Sequence, residues 1–182
     1  MKSNVFVFCL IVTLIPLGGC GGNGGGSDFI GAAEVGINTS PPRIDTGDRT
    51  ETAISISHVD DDGIILKVRY PSGLVYVLSS SFITLDGKKD RQELAPLKVE
   101  KIGDESYAVY FLPQILFQGA DKEYSGQGGT LTFQLEGVSR VTQGAIAVDA
   151  DVDDPLIKNE EEFNINKPEF AAEDETFISV TE

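Results

Sequence analysis

Apolar and polar residues alternate with a period of two through most of the chain after Phe29, as they do in strands that bury one face. The clearest stretch is LTFQLE, residues 131–136. A sheet packed on one side needs one apolar and one polar face. We therefore expect Leu131, Phe133 and Leu135 to be buried, and the polar residues that alternate with them to face water.

Six other segments alternate in a similar way, and turn-forming residues separate them. Asp45-Thr46-Gly47-Asp48 and Pro71-Ser72-Gly73 are two such turns, and Leu74, Tyr76 and Leu78 share the apolar face of the strand that follows the second turn. The seven predicted strands are 33–39, 50–59, 64–70, 74–78, 107–111, 131–135 and 146–152. No stretch has the period of an amphipathic helix. This pattern predicts an all-β fold, an Ig-like antiparallel β-sandwich, with a small barrel as the alternative.

The N-terminal twenty residues, MKSNVFVFCLIVTLIPLGGC, have the form of a signal peptide. Lys2 is followed by an apolar run from Val5 to Leu17, which is short for a membrane span. The run ends in Leu17-Gly18-Gly19-Cys20, and here the chain resembles bacterial lipoproteins, whose lipobox is a leucine, two small residues and the lipidated cysteine. The alternative is an ordinary signal peptide cut near Gly19.

The lipoprotein resemblance implies a diacylglycerol on the Cys20 thiol, cleavage before Cys20 and usually an acyl chain, such as palmitate, on the new amine. The GGNGGGS that follows Cys20 is a flexible coil with a span of roughly 15 Å. Residue 21 is glycine and not aspartate, so the resemblance implies the outer membrane or cell surface in a diderm host. Whether the host has one membrane or two, we expect an extracytoplasmic protein that is attached to the membrane through this lipid.

We divide the chain into four parts on these grounds. Residues 1–19 are the signal peptide, 20–28 the lipidated cysteine and glycine-rich tether, and 29–157 the β-sandwich. Residues 158–182 are an acidic C-terminal segment, whose apolar residues predict one or two extra strands.

A second resemblance lies within the sandwich. The stretch GIILKVRYPSGLVYV, residues 63–77, with Ser80 after it, resembles the Ig-like "conserved repeat" and related surface modules of bacteria. Those modules share a strand, a Pro-x-Gly-Leu turn and a Tyr-Val strand. The resemblance implies a sandwich fold and a surface location, and it brings no catalytic residue with it.

The composition narrows the choice of partners. The chain has 29 acidic and 14 basic residues and a formal charge of -15, which disfavours nucleic acid and acidic membrane surfaces. Its two cysteines, Cys9 and Cys20, both precede the predicted domain, so no disulfide is expected to staple the fold. One stretch matches the dinucleotide-binding motif G-x-G-x-x-G, but it contains Cys20 and follows no predicted strand. We therefore expect no cofactor.

The sequence offers no catalytic constellation. The one histidine, His58, ends a predicted strand without a partner motif, and there is no G-x-S-x-G elbow. We therefore expect a non-enzymatic surface module for binding, adhesion or scaffolding, with an unidentified protein or glycan partner. A carbohydrate-binding or hydrolytic domain is the alternative. The absence of tryptophan leaves sugar stacking to the tyrosines: Tyr70, Tyr76, Tyr107, Tyr110 and Tyr124.

The stretch DADVDDPLIKNE, residues 149–160, nearly matches a calcium loop, because Asp149, Asp151, Asp153 and Glu160 occupy ligand positions. Asp154 stands where the loop requires glycine, and the alternation of Ile146, Val148, Ala150 and Val152 predicts a strand instead. We therefore expect a solvated acidic face and assign no metal ligands. At most, weak calcium binding is expected at the pole of the sandwich where Asp153 and Asp154 approach Asp45 and Asp48, with Asp60 to Asp62 at the opposite pole.

Overall fold

The computed structural model describes residues 33–59, 64–117, 128–152 and 170–182. Among these residues there are twelve strands and one helical turn. They are β1 (Glu34–Ser40), β2 (Arg43–Asp45), β3 (Arg49–Ser57), β4 (Ile64–Pro71), β5 (Leu74–Tyr76), β6 (Phe82–Leu85), β7 (Arg91–Glu93), β8 (Lys98–Ile102), β9 (Glu105–Leu112), α1 (Gln114–Phe117), β10 (Gly129–Gly137), β11 (Val141–Val152) and β12 (Asp174–Thr181).

The strands form two six-stranded sheets. The first sheet has the order β1-β3-β10-β6-β7, with β5 also paired to β10, and the second has the order β2-β12-β11-β4-β9-β8. All pairs are antiparallel except β12 with β2. The predicted fold class, an antiparallel β-sandwich, is confirmed. No helix within the described residues is long and apolar enough to cross a membrane.

The core lies between the sheets and takes its side chains from alternate positions of both. In β10, Leu131, Phe133 and Leu135 are fully buried, as the alternation predicts. The polar residues between them are half-buried and do not face water freely as expected. In β4 of the opposite sheet, the core residues are Ile64, Leu66, Val68 and Tyr70.

The second sheet also buries residues on its outer face. Ile65 and Val109, which point away from the core, form a second apolar cluster with Tyr107 and Phe111 packed against it. The ring of Phe170 lies edge-on to Tyr107, with centroids 6.0 Å apart, and under the guanidinium of Arg69 at 4.6 Å. Alternation predicts the direction in which a side chain points, but it does not predict that a second layer covers that side.

Two features of the strands differ from the sequence pattern or add to it. Leu78 was expected to share a strand face with Leu74 and Tyr76, but β5 ends at Tyr76 and Leu78 is 83% exposed. That expectation is wrong because the chain leaves the sheet after Tyr76 and turns. The C-terminal segment contributes β12, which lies inside the second sheet between β2 and β11.

We predict that Phe133→Ala lowers the free energy of unfolding by about 3–5 kcal/mol, because it removes a fully buried aromatic ring and leaves a cavity between the sheets. Thr132→Ala, one position away on the opposite face of β10, is the matched control and should cost less than about 1 kcal/mol. Urea unfolding of both variants measures the difference. Equal losses for the two variants would contradict the assignment of the core face.

Candidate binding site at the open edge of the sandwich

The two long edges of the sandwich are built differently. At one edge, β1 of the first sheet approaches β12 of the second, and the backbone N–H of Ile37 donates to Asp174 Oδ2 at 2.7 Å. A Cβ added at Gly36 would lie 2.9 Å from Ser55 Oγ of the neighbouring strand β3 and in ordinary contact, at 3.6 Å, with Asp174 Oδ2. We call this the closed edge.

The opposite edge is open. There β7 ends the first sheet and β8 ends the second, and the chain crosses from one sheet to the other through residues 94–97. A cleft of about 340 Å³ lies at this crossing. Its apolar lining comes from Tyr76, Leu78, Leu94, Leu97 and Val99, and its polar lining includes Ser79, Ser81, Glu93 and Lys98. We call it the open-edge cleft.

The turn from Val77 to Ser81 forms one wall of the cleft and is held rigidly. Val77 N–H donates to Gln134 O at 3.0 Å, and Gln134 N–H donates to Ser80 Oγ at 3.0 Å. Ser80 Oγ in turn donates to Val77 O at 2.6 Å. Ser79 has a φ of 56°, which an L residue adopts at a cost. These contacts fix the turn in a conformation that leaves the side chain of Leu78 in solvent.

A chain of three hydroxyl groups starts at the lining of the cleft, with Tyr76 and Ser81, and leads into the core to Tyr110. Tyr76 Oη lies 2.6 Å from Ser81 Oγ, and Ser81 Oγ lies 2.9 Å from Tyr110 Oη. Tyr110 and Ser81 are buried, whereas Tyr76 is half-buried at the cleft. Burial raises the pKa of Tyr110 far above its usual value, so this hydroxyl keeps its proton. The cleft therefore combines an apolar wall with neutral hydroxyl groups in its lining.

A second groove, of about 260 Å³, lies beside the cleft on the outer face of the first sheet. Arg91 covers the ring of Phe82 at 4.2 Å, and Arg49 Nε donates to Glu136 Oε2 at 3.0 Å. Leu78 and Ser79 line both this groove and the cleft. Leu78 therefore separates the groove from the open-edge cleft.

A buried ion pair lies on the outer face of the second sheet, away from the cleft. Lys67 Nζ is 2.8 Å from Asp149 Oδ2, and the two side chains are 0% and 4% exposed. The residues are directly opposite each other in β4 and β11, and Ala171 N–H also donates to Asp149 Oδ2 at 3.0 Å. Two charges buried together need this pairing and hydrogen bonding to offset the loss of water.

This ion pair corrects one expectation from the sequence. Asp149 does point away from the core, as the strand pattern predicts, but it is buried and paired instead of solvated. The nearest signal in the sequence is Lys67, a lysine inside an otherwise apolar strand. A charged residue at such a position needs a partner of opposite charge on a neighbouring strand, although the sequence does not identify which acidic residue that is.

The register of the second sheet contradicts the pole expected for a cation. Val180 of β12 pairs with both Ile44 and Val141, so Asp45 lies beside the start of β11. The end of β11 that precedes Asp153 is the opposite one, where Val152 pairs with Ile64.

The other acidic residues of the cation hypothesis are only partly described. Asp45 and Asp48 are exposed, and Asp45 Oδ1 accepts from Thr181 Oγ1. The described part of the chain brings no three metal-ligating side chains together. Asp60 to Asp62 and residues 153–160 lie outside the described residues, as do Leu17, Gly18, Gly19 and Cys20 of the lipobox.

The candidates for an enzyme or a sugar site are dispersed. His58 is exposed at the rim beyond β3, where its Nδ1 is 3.2 Å from Glu34 Oε2, another exposed group. Tyr70 and Tyr110 are buried in the core and offer no surface for a sugar to stack on, and burial raises the pKa of Tyr70 to about 12. Tyr124 lies outside the described residues.

Comparisons with known proteins do not assign the chain to a family. No family model matches it, and no curated protein sequence matches it significantly. Among solved structures, AvmM, which catalyses macrocyclization in alchivemycin A biosynthesis, is 12% identical with a TM-score of 0.48, and the match covers 84% of this chain and 90% of AvmM.

Two further structural neighbours are a pilin and an adhesin. The major pilin SpaA of Corynebacterium diphtheriae is 12% identical with a TM-score of 0.44, over 64% of this chain and 31% of the pilin. The collagen adhesin of S. aureus is 12% identical with a TM-score of 0.44, over 82% of this chain and 48% of the adhesin. Neither identities nor TM-scores at this level carry an activity over to the chain.

We predict that Lys67→Met lowers the free energy of unfolding by about 3–5 kcal/mol, because Asp149 stays buried without the cation that faces it. The double variant Lys67→Met/Asp149→Asn removes both charges and should recover most of that loss, since the Asn oxygen still accepts from Ala171. Urea unfolding of the two variants is the measurement. A double variant that is as unstable as the single variant would show that the pair is not the source of the effect.

Proposed function

We propose that this protein is a lipid-anchored, extracytoplasmic lipoprotein whose β-sandwich is a non-enzymatic module for surface binding, adhesion or scaffolding. The open-edge cleft is its binding site. One observation carries the proposal: Leu78, 83% exposed, stands on a turn that three hydrogen bonds hold in place.

This observation favours binding because Leu78 stays exposed although burial of its side chain would be favourable. Burying a leucine side chain is worth about 1.5–3 kcal/mol, and a mobile turn could lower its free energy by folding Leu78 onto the sheet. The hydrogen bonds to Gln134 and within the turn prevent this, and they do so with Ser79 in an unfavourable conformation. A rigid, exposed apolar group loses little entropy when a partner covers it, which favours binding.

The cleft has the composition of a binding surface. Apolar residues make up most of its lining, and its polar lining residues include Ser79, Ser81, Glu93 and Lys98. Sites for ligands and partners are commonly apolar pockets with a small number of oriented polar groups. The chain crossing at residues 94–97 is fixed at both ends, since Leu94 N–H donates to Ser81 O and Leu97 N–H to Val109 O. The site is therefore largely preformed.

The lipid anchor of the proposal rests on the sequence. Leu17-Gly18-Gly19-Cys20 supports attachment of acyl chains to Cys20, and two or three chains hold a protein at a membrane where one does not. The seven residues after Cys20 then link the anchor to the sandwich. In a diderm host we infer the outer membrane, because residue 21 is glycine.

We predict that Cys20→Ala abolishes sedimentation with membranes and incorporation of labelled palmitate, because it removes the thiol that carries the lipid. Cys9→Ala is the matched control and should keep both, since Cys9 lies in the segment that cleavage removes. Membrane fractionation of cells that express each variant is the measurement. Palmitate incorporation by the Cys20→Ala variant would refute the anchor.

We predict that Leu78→Asp weakens capture of the surface partner at least tenfold, because about 1.5–3 kcal/mol of apolar burial is lost and a charge is placed in the contact. Val138→Asp, at an exposed apolar residue on the β10–β11 turn, should capture the partner like the unaltered protein. Capture is measured by photo-crosslinking on intact cells and again after protease shaving of the surface. Both variants should unfold at the same urea concentration as the unaltered protein, which shows that they are folded. If the two variants capture the partner equally well, the cleft is not the binding site.

A further inference from the structure

We infer that the open-edge cleft takes an extended segment of a partner protein that carries acidic and apolar side chains, and that this segment adds as a strand to β8. The inference rests on the proposed function and names the class of partner that the binding module recognises. Four observations on different groups lead to it.

The first observation is that β8 is an edge strand. It pairs with β9 from Lys98 to Ile102, and no other described strand lies along its outer side. An edge strand presents a row of backbone N–H and C=O groups, and these groups select an extended chain as their partner. The closed edge of the sandwich differs, because there Asp174 accepts the N–H of Ile37 in β1.

The second observation is that apolar side chains collect along this edge. Seven large apolar side chains are exposed among the described residues, and four of them lie here: Leu78, Leu97, Val99 and Ile102. Val99 and Ile102 belong to β8 itself, and Leu97 precedes it. A strand that pairs with β8 would place alternate side chains over Leu97 and Val99 and against Leu78 across the cleft.

The third observation is the local sign of the charge. Residues 88–101, which run through β7 and β8, contain five of the fourteen basic residues and three of the 29 acidic residues of the chain. These residues carry a net charge of +2 in a protein with a formal charge of -15. Lys98, which lines the cleft, has its Nζ 2.6 Å from Glu100 Oε2, and Lys101 is exposed on β8. Complementarity therefore favours an acidic partner.

The fourth observation concerns the hydroxyl chain of Tyr110, Ser81 and Tyr76. Three hydroxyls have three protons but make two contacts with one another. Tyr110 is fully buried, so a proton left over on it would be an unsatisfied donor, which is unfavourable in the protein interior. The favourable direction is Tyr110 to Ser81 to Tyr76. Tyr76 then offers its O–H at the cleft, where a carbonyl or carboxylate of the partner accepts it.

Two synthetic peptides test the inference on the mature lipoprotein in detergent: a heptapeptide of alternating Glu and Val, and its counterpart with Lys in place of Glu. We expect the Glu peptide to bind at least tenfold more tightly than the Lys peptide and to weaken as salt is raised. Hydrogen–deuterium exchange should slow in residues 97–103 when the Glu peptide binds, because backbone groups of β8 become paired.

Charge variants give the matched control. Lys98→Glu/Lys101→Glu should weaken binding of the Glu peptide about tenfold or more, whereas Arg43→Glu, in the edge strand β2 at the other end of the second sheet, should leave it unchanged. Tyr76→Phe should weaken binding without changing the preference for Glu over Lys, because it removes the hydroxyl and leaves the charges in place.

Three results would overturn the inference. One is equal binding of the two peptides, and another is protection from exchange outside β8. The third is a concentration-dependent dimer that Lys98→Glu/Lys101→Glu abolishes, because it would assign the edge to a second copy of the chain. Failure of strand addition can be distinguished from failure of the proposed function. If Leu78→Asp abolishes capture of the partner, but hydrogen–deuterium exchange in β8 is the same with and without the partner, the proposed function stands and strand addition to β8 is wrong.

Discussion

The packing of Phe133 between two tyrosine rings is the contact on which the rest of the architecture depends. Its centroid lies 6.1 Å from that of Tyr76 and 5.9 Å from that of Tyr110. Phe133 belongs to the first sheet, Tyr110 to the second, and Tyr76 precedes the turn that presents Leu78. The ring of Phe133 therefore packs against both the second sheet and the residue that precedes the turn. The position of the cleft thus depends on packing in the core.

The outer faces of the two sheets have different roles because one of them is already covered. On the second sheet, Lys67 and Asp149 are paired below the surface, and Phe170 packs on Arg69 and Tyr107. Burial of this face stabilises the fold and withdraws it from solvent. The two concave surfaces lie elsewhere, on the face of the first sheet, where Arg49 and Arg91 line a groove, and at the open edge beside it. Leu78 stands where these two surfaces meet.

The sequence predicted the parts of this structure that depend on local periodicity. Alternation in residues 131–136 placed Phe133 in the core correctly, because the geometry of a strand decides which side a residue faces. It misplaced Leu78, since hydrogen bonds from Ser80 and Gln134 end the strand at a point that no pattern marks. It also misjudged Asp149, because burial depends on Lys67 and Ala171, which are distant in sequence. The lipobox stays a prediction from the sequence alone, because a linear motif of this kind is independent of the fold.

The carboxylate of Asp174 has a consequence beyond joining two strands. By accepting the N–H of Ile37, it occupies a backbone donor that an edge strand would otherwise offer to another molecule. A sandwich with two available edges could pass strands from copy to copy and grow into a fibre. With this donor occupied, β1 presents an interrupted row of backbone groups to an added strand. Strand-to-strand contacts between copies crowded on one surface would then be disfavoured along β1.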